Sequence, residues 1–160
     1  MAKKFLLFLL GFLCFINICL NAYYYYQRYQ KQSFFCPVPQ KYCKDARKIE
    51  INGKFFGIGY KVPEKTPIYA VSNGFLDKGY FSLNPKYGGG NYPVLMLTTI
   101  SNENIEYIFT GREIKKGTEA LKKEQIGLAG KENFANYDIN LVIRMVKSSG
   151  EVADPREAMK

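Results

Sequence analysis

The sequence contains no histidine: none of its 160 residues is one. Histidine is the commonest general base at neutral pH and the commonest protein ligand of zinc-like metals. Its absence excludes Ser-His and Cys-His nucleophilic pairs and removes the usual ligand of a zinc site. Tryptophan is absent too, so the aromatic share of 16% consists of Phe and Tyr, which favour β-sheet.

Cysteine is scarce, with four residues in the whole chain. Cys14 and Cys19 lie inside an apolar run and are interpreted as small core-type residues. Cys36 and Cys43 are two thiols, which are too few for a closed zinc site. In an oxidising compartment their spacing could close a small loop, so we predict a disulfide, with two free thiols as the alternative.

Signals for phosphate and nucleic acid are also missing. The glycine triplet at 88–90 has no Gly-Lys-Ser/Thr after it, so it is not a phosphate-binding loop. The net charge is +9, from 23 Lys+Arg against 14 Asp+Glu. The basic residues are scattered and no nucleic-acid-binding motif is present. We therefore predict a lysine-rich solvated surface and no nucleic-acid partner.

The amino-terminal segment has the pattern of a membrane anchor. Residues 5–22 form an uncharged, mainly apolar run that follows two lysines and precedes tyrosines 23–26. As a helix this run would rise about 27 Å, close to the thickness of a bilayer core. Lysines before it and aromatic residues after it predict a single-pass protein of the bacterial inner membrane. Residues 1–26 are its anchor, with a cytoplasmic amino terminus and a periplasmic domain. A cleaved signal peptide is the alternative, although Leu20 is bulky where a small residue is expected.

One face of this predicted anchor carries small and amide side chains. At 100° per residue they fall within an arc of about 120°. They are Gly11, Cys14, Asn17 and Asn21. Such residues let membrane helices approach closely and hydrogen-bond, which predicts packing on a partner's membrane helix or on a second copy. The alternative is that both asparagines are tolerated near the outer half of the helix, where water is close.

The rest of the chain divides into a connector at 27–47 and a β domain at 48–160. The connector is rich in Tyr, Gln and Lys and contains two prolines. Beyond it, short apolar-rich runs alternate with turn residues, which predicts a mainly β fold built as an antiparallel sheet or sandwich. Residues 117–123 are predicted to form one helical turn or a loop. The predicted strands are 48–51, 67–71, 74–80, 93–98, 104–109, 125–128 and 139–146.

Five sequence blocks in the β domain follow an order that resembles the LytM-type (lysostaphin-like) zinc peptidases. The first begins Phe-Phe-Gly-Ile-Gly-Tyr, where the family has a histidine, a glycine two residues on and an aspartate two further. The resemblance covers about residues 50–157. It implies an antiparallel β fold with a groove that holds zinc. The blocks are 55–75, 90–96, 111–127, 140–144 and 150–155.

The resemblance assigns the three zinc-ligand positions to Phe55, Gly59 and Val142, whose side chains offer no lone pair. Other family histidines fall at Asn140 and near Phe109 or Thr110. A zinc peptidase needs three protein ligands and a bound water whose pKa the metal lowers. We therefore predict a degenerate domain with no metal, no cofactor and no enzymatic activity. Apolar side chains are expected to fill the space of the metal, since an empty polar cavity would be costly.

Inactive domains of this kind serve as binding modules, so the resemblance implies an interaction protein. We expect it to bind a protein partner in or at the inner membrane. That binding would stabilise, assemble or regulate an envelope complex, for example a flagellar motor or a secretion system. Self-association is a further expectation. The predicted groove residues are Phe55, Phe56, Tyr60, Thr98, Phe109 and Asn140.

Two other functions remain open from the sequence. The domain could hold peptidoglycan without cutting it, or regulate cell-wall hydrolases. Regulators of amidases usually carry a long coiled coil, and residues 23–47 are too short and proline-interrupted for one. Residual hydrolase activity is the third hypothesis. Tyrosines that could stack on sugars, or pack as ordinary strand residues, are Tyr60, Tyr80, Tyr87 and Tyr92.

Overall fold

The chain is described here from a computed structural model and separates into two compact units, Met1–Lys31 and Gln32–Lys160. Within the first unit, side chains are described for residues 9–26. The residues that the structure describes are 2–29, 34–99, 102–113 and 118–159.

The first unit is the helix α1, Ala2–Tyr29. It continues past residue 26, where the anchor was predicted to end. Its stretch Leu9–Tyr26 is 18 residues long and apolar, with none of it buried. By length and composition α1 is therefore a candidate membrane span, as the apolar run predicts.

The described part of the second unit contains eleven strands, two short helices and one 3-10 turn. The helices are α2, Gln40–Cys43, and α3, Pro155–Ala158; the 3-10 turn is Pro85–Tyr87. The strands are β1 Arg47–Ile51, β2 Lys54–Tyr60, β3 Pro67–Tyr69, β4 Gly74–Leu83, β5 Gly90–Thr99, β6 Asn104–Phe109, β7 Arg112–Glu113, β8 Glu119–Ala120, β9 Gln125–Leu128, β10 Leu141–Val146 and β11 Val152–Ala153.

The strands form two sheets, and every strand pair is antiparallel. The large sheet has the order β1-β2-β10-β6-β5-β4-β8, with β11 also paired to β10. The small sheet has the order β3-β9-β7. The predicted fold class, a mainly β antiparallel domain after one amino-terminal apolar helix, is confirmed.

Local sequence explains the hairpin that starts the large sheet. Asn52 and Gly53 join β1 to β2 with φ angles of 55° and 70°. Two successive residues with positive φ make the hairpin turn whose twist matches that of the strands, and Asn-Gly is the pair that adopts it most readily. This turn pairs β1 with β2, the strand in which the first of the five sequence blocks begins.

The two faces of the large sheet support two separate hydrophobic clusters. Along β10 the side chains alternate between them, as the period of a strand requires: Leu141 and Ile143 lie in one cluster and Val142 in the other. We call the face that packs on the small sheet the first face. We call the opposite one the second face. The buried members of the second-face cluster are Ile49, Phe56, Leu83, Tyr92, Val94, Ile108, Phe134, Ile139 and Val142.

The segment predicted as a connector is partly structural. α1 occupies its beginning, and its later part packs on the β domain. Val38 is 1% exposed and belongs to the first-face cluster. The backbone N–H of Tyr69 donates to Pro37 O at 2.7 Å, and Cys36 is joined to Cys43 by a disulfide. The folded domain therefore begins well before residue 48, because a short disulfide-closed loop supplies part of its core.

Each of the seven predicted strands overlaps an observed one, but the region 117–123 differs from its prediction. Glu119 and Ala120 form β8, which pairs with Phe75 and Gly74. A two-residue strand has too little pattern of its own to be recognised, so tertiary pairing decides its conformation. Gly117 lies outside the described residues.

Candidate functional site

Two of the three predicted metal positions meet on the second face. Gly59 of β2 lies directly opposite Val142 of β10 in the strand ladder. The Val142 side chain is fully buried. A Cβ atom on Gly59 would lie 2.5 Å from Ile139 Cδ1 and 3.0 Å from Ile49 Cδ1. Isoleucine side chains therefore occupy the volume where an aspartate at this position would stand.

The third position, Phe55, does not join them. The pairing of β1 with β2 shifts between Ile49, opposite Gly57, and Glu50, opposite Phe55. The shift leaves Phe56 as an extra residue, a β-bulge. Phe55 consequently packs against the first-face cluster, whereas Phe56 belongs to the second-face cluster.

Asn140 stands where the resemblance places a family histidine, and its amide makes three hydrogen bonds. Its Oδ1 accepts from the Val62 backbone N–H at 3.0 Å. Its Nδ2 donates to Val62 O at 2.8 Å and to Gly130 O at 2.6 Å. The residue is 2% exposed. Asn140 therefore ties two loops to the start of β10, and its buried amide already makes three hydrogen bonds within the domain.

A loop of residues 131–140 covers this part of the second face. Its centre is Phe134, which is 1% exposed and stacks on Phe56 with ring centroids 5.5 Å apart. The ring of Tyr92, in strand β5, has its centroid 4.7 Å from that of Phe134. Tyr92 Oη also accepts the backbone N–H of Ala135 at 2.8 Å. We call residues 131–140 the covering loop, since they close the second face with aromatic side chains.

Beside the covering loop, one cation is held among aromatic rings. The Arg144 guanidinium carbon lies 4.7 Å from the Phe56 centroid and 4.8 Å from the Phe81 centroid. Its Nε donates to Glu106 Oε2 at 2.6 Å. The two charged side chains are 14% and 17% exposed. The Glu106 carboxylate neutralises the Arg144 charge beside the aromatic rings of the second face. The sequence analysis did not predict this ion pair.

The remaining predicted groove residues lie elsewhere. Tyr60 and Phe109 are buried in the first-face cluster. Burial raises the pKa of Tyr60 to about 12. Thr98 is half-buried and donates its hydroxyl to Asn104 Oδ1 at 2.9 Å. The six predicted groove residues are thus distributed over both faces, and their contact with a partner stays a prediction.

The residues present do not fit a zinc ion. Among the residues that the structure describes, no three His, Cys, Asp or Glu side chains come close enough together to hold a metal. The positions assigned to the ligands carry a phenyl ring, a hydrogen atom and an isopropyl group, none of which donates a lone pair. Ile139 and Ile49 fill the space beside Gly59.

Comparison with solved structures shows what this architecture is similar to. The catalytic domain of lysostaphin from Staphylococcus simulans matches with a TM-score of 0.52 and 21% identity, over 79% of this chain and 88% of that one. The folded domain has the fold of the lysostaphin-type peptidases. A zinc-containing peptidase of Vibrio cholerae matches with a TM-score of 0.53 and 20% identity, over 78% of this chain and 39% of that one.

A third lysostaphin-type structure is a peptidase-M23 protein of Pseudomonas aeruginosa. It matches with a TM-score of 0.51 and 15% identity, over 88% of this chain and 58% of that one. The chain thus spans less than two thirds of the Vibrio and Pseudomonas proteins. No protein-family model matches the sequence, and no curated protein matches it significantly. The predicted resemblance to the lysostaphin-type fold is confirmed, in a domain whose ligand positions are degenerate.

The predicted helix face of α1 is exposed in the structure. Asn21 Nδ2 donates to the Asn17 carbonyl at 2.8 Å and to Asn17 Oδ1 at 2.7 Å. Cys14 and Cys19 are exposed free thiols. The two amides thus form one polar spot on an otherwise apolar surface.

Proposed function

We propose that this chain is a membrane-anchored, catalytically inactive protein of lysostaphin-type fold that binds a protein partner outside the cytoplasm. Its binding would stabilise, assemble or regulate a complex of the cell envelope. α1 anchors it in the inner membrane, with the amino terminus in the cytoplasm. The β domain supplies the binding surface.

One observation carries the proposal: apolar side chains pack into the place where the fold would hold its metal. Gly59 and Val142 are paired there, and Ile139 and Ile49 fill the space beside Gly59. Hydrolysis of a peptide bond by this fold depends on a metal-bound water of lowered pKa. Without donor atoms at these positions the domain has no group for that step, so binding is the function left to it.

The edge of the large sheet at β4 supports a protein-binding role better than the buried residues do. β8 pairs only with Gly74 and Phe75, and the Leu76 N–H donates outward to Thr118 O at 2.6 Å. The Lys78 N–H is taken by Asp77 Oδ1 at 2.7 Å. Beyond these, the outer edge of β4 has no paired strand among the described residues. Such an edge can take an added strand from another protein.

An exposed aromatic side chain lies on the same edge. Tyr80 is 81% exposed. Large amphipathic side chains such as tyrosine supply much of the binding energy at protein interfaces. Tyr80 is therefore the residue that we expect to contribute most to partner binding.

Affinity purification of the full-length protein from membranes, followed by mass spectrometry, tests this function. The wild type is expected to retain a partner that Tyr80→Ala loses. Lys48→Ala, on the opposite edge strand β1, is the matched control and should retain the partner. Recovery of the protein alone, or equal recovery with both variants, would contradict the proposed surface. Stoichiometric zinc in the pure protein would contradict its catalytic inactivity.

Peptidoglycan binding is the second candidate, and one exposed ring favours it. Of the four tyrosines predicted to stack on sugars, Tyr60 and Tyr92 are buried and Tyr87 is half-buried, which leaves Tyr80. Sedimentation with purified sacculi separates the two functions. A domain that stays in the supernatant argues against glycan binding and leaves protein binding untouched.

A further inference from the structure

The described surface of α1 carries a hollow on the side of its two asparagines. The hollow is lined by Leu10, Leu13, Cys14 and Asn17, together with Ile18. The first four are spaced i, i+3, i+4 and i+7. In knobs-into-holes packing, four residues at that spacing form the hole that receives one side chain of a facing helix. The hollow thus has the form of a receptor for a second helix.

A polar group lies at the middle of the same side. Asn17 is the ninth residue of the 18-residue span Leu9–Tyr26, about 12 Å along the helix from its start. Its Oδ1 and its backbone carbonyl both accept hydrogen bonds from Nδ2 of Asn21. The side-chain N–H groups of Asn17 and Oδ1 of Asn21 have no partner within the described helix. Hydrocarbon offers them no water, so hydrogen bonds to another helix would be favourable.

We propose that α1 pairs in parallel with α1 of a second copy, along a seam of Leu10, Cys14, Asn17 and Asn21. These residues are spaced four, three and four apart, the pattern of a left-handed helix pair. The proposal rests on the membrane-anchor part of the proposed function and is independent of partner binding.

Depth and symmetry identify the second copy as the occupant. Two copies inserted in the same direction place the same residue at the same depth. The Cys14 side chain then enters the hollow of the other helix. In a parallel pair, a residue at this position packs among four residues of the other helix, which here are Leu10, Leu13, Cys14 and Asn17. Asn17 meets Asn17, and each amide can donate to the other. A different helix would need its own polar side chain at this depth, whereas a second copy supplies one by symmetry.

Thiol cross-linking of the full-length protein in membranes tests the seam. Cys14 and Cys19 are both exposed free thiols, about 140° apart around the helix. Copper-phenanthroline oxidation of Cys19→Ser, which keeps Cys14, is expected to give a covalent dimer. Cys14→Ser, which keeps Cys19, is expected to give no more dimer than the double variant that lacks both thiols. Equal dimer from the two single variants would overturn the proposal.

The asparagine has a matched control on the far side of the helix. In the Cys19→Ser background, Asn17→Leu is expected to lower the dimer yield about threefold, the factor that a single interhelical hydrogen bond supplies. Phe12→Leu lies about 180° from the centre of the seam and should leave the yield unchanged. A yield that Asn17→Leu does not lower removes the amide from the interface.

Energy transfer gives a readout that does not depend on thiol reactivity. Full-length protein labelled with donor and acceptor dyes on its β domain is reconstituted in lipid vesicles and diluted with lipid. Transfer that persists on dilution and falls with Asn17→Leu is expected. A protein that stays in membranes after alkaline carbonate extraction but shows no transfer would sink the pairing alone. A protein lost from membranes would sink the anchor.

Discussion

The two faces of the large sheet are closed in different ways. The first face packs on a second sheet and on the disulfide-closed segment around Val38. Ile68 and Ile126 of the small sheet are completely buried there. The second face is closed by the covering loop, which contributes Phe134 and Ile139. The first face is therefore covered by a hydrogen-bonded sheet, whereas the second is covered by a few side chains of one loop.

This difference teaches how a fold can keep its shape and lose a site. In the lysostaphin-type resemblance the metal positions belong to β2 and β10, which are central strands of the large sheet. Their backbone pairing is intact here, with Gly59 opposite Val142. Apolar side chains fill the space between these strands and the loop. The second face is thus a small hydrophobic core, and its stability should depend on very few residues.

The first prediction removes the centre of the covering loop. Phe134→Ala deletes a ring that is 1% exposed and in contact with Phe56 and Tyr92. Substitutions of this kind cost about 3–5 kcal/mol, because the cavity collapses only partly. That is a large share of the stability of a small domain. Chemical denaturation of the β domain, followed by circular dichroism, measures the change.

A first-face substitution serves as the comparison for Phe134→Ala. Ile68→Val removes one methylene from a fully buried side chain, and we expect a loss of about 1 kcal/mol. A Phe134→Ala protein as stable as Ile68→Val would mean that the covering loop does not close the second face.

The second prediction cuts the polar tie of the same loop. Asn140→Leu keeps the approximate volume but leaves the Val62 N–H, Val62 O and Gly130 O without their partner. Each buried group left unpaired costs about 1–3 kcal/mol, and we expect a total near 3 kcal/mol, since some regain water. Thermal unfolding measures it. Thr98→Val, which removes one half-buried hydrogen bond to Asn104, is the control and should cost about 1 kcal/mol.

The fold was largely predictable from the sequence, whereas the second face was not. The apolar-rich runs and the turn residues between them are local signals, and each predicted strand, including 139–146, overlaps an observed one. The bulge at Phe56 was missed, because its cause is the pairing of β1 with β2 and no local pattern marks it. That bulge separates Phe55 from Gly59, so the predicted groove could not be assembled from spacing alone.

The covering loop was missed for a similar reason. Residues 131–140 are mostly polar and contain isolated apolar residues, the pattern of an ordinary surface loop. Phe134 becomes a core residue only through contacts with strands distant in sequence. Its one sequence signal is a lone phenylalanine among polar residues. The Arg144 pair with Glu106 likewise depends on β10 lying beside β6.

The third prediction tests whether the second face is full. Gly59→Ala places a methyl group about where Ile139 Cδ1 and Ile49 Cδ1 already lie. Overpacking of a closed core costs about 1–3 kcal/mol, and we expect about 2 kcal/mol. Ile139→Val in the same chain removes the crowding atom, so the two substitutions together should cost less than their sum. Strict additivity in this double-mutant cycle would show that the site has spare room.

The last prediction concerns the first face, at alkaline pH. Burial raises the pKa of Tyr60 to about 12, against an unfolded value of 10.0. A raised folded pKa contributes stability that is present below pH 10 and lost as the pH rises towards 12, since the unfolded chain ionises first. With one pKa unit worth about 1.4 kcal/mol, the loss at pH 11 is about 1.4 kcal/mol. Tyr107 on the same face also has a raised pKa, because it is buried, and it adds to the loss of stability at alkaline pH.

The Tyr60→Phe variant has no hydroxyl to ionise at this position. Its free energy of unfolding, measured by denaturant titration between pH 9 and 11, should therefore fall less steeply with pH than that of the wild type. Equal slopes would mean that water reaches the Tyr60 hydroxyl more easily than its position between the sheets implies. The first face would then be less well closed than the packing of the second sheet against it suggests, and the two faces would differ less.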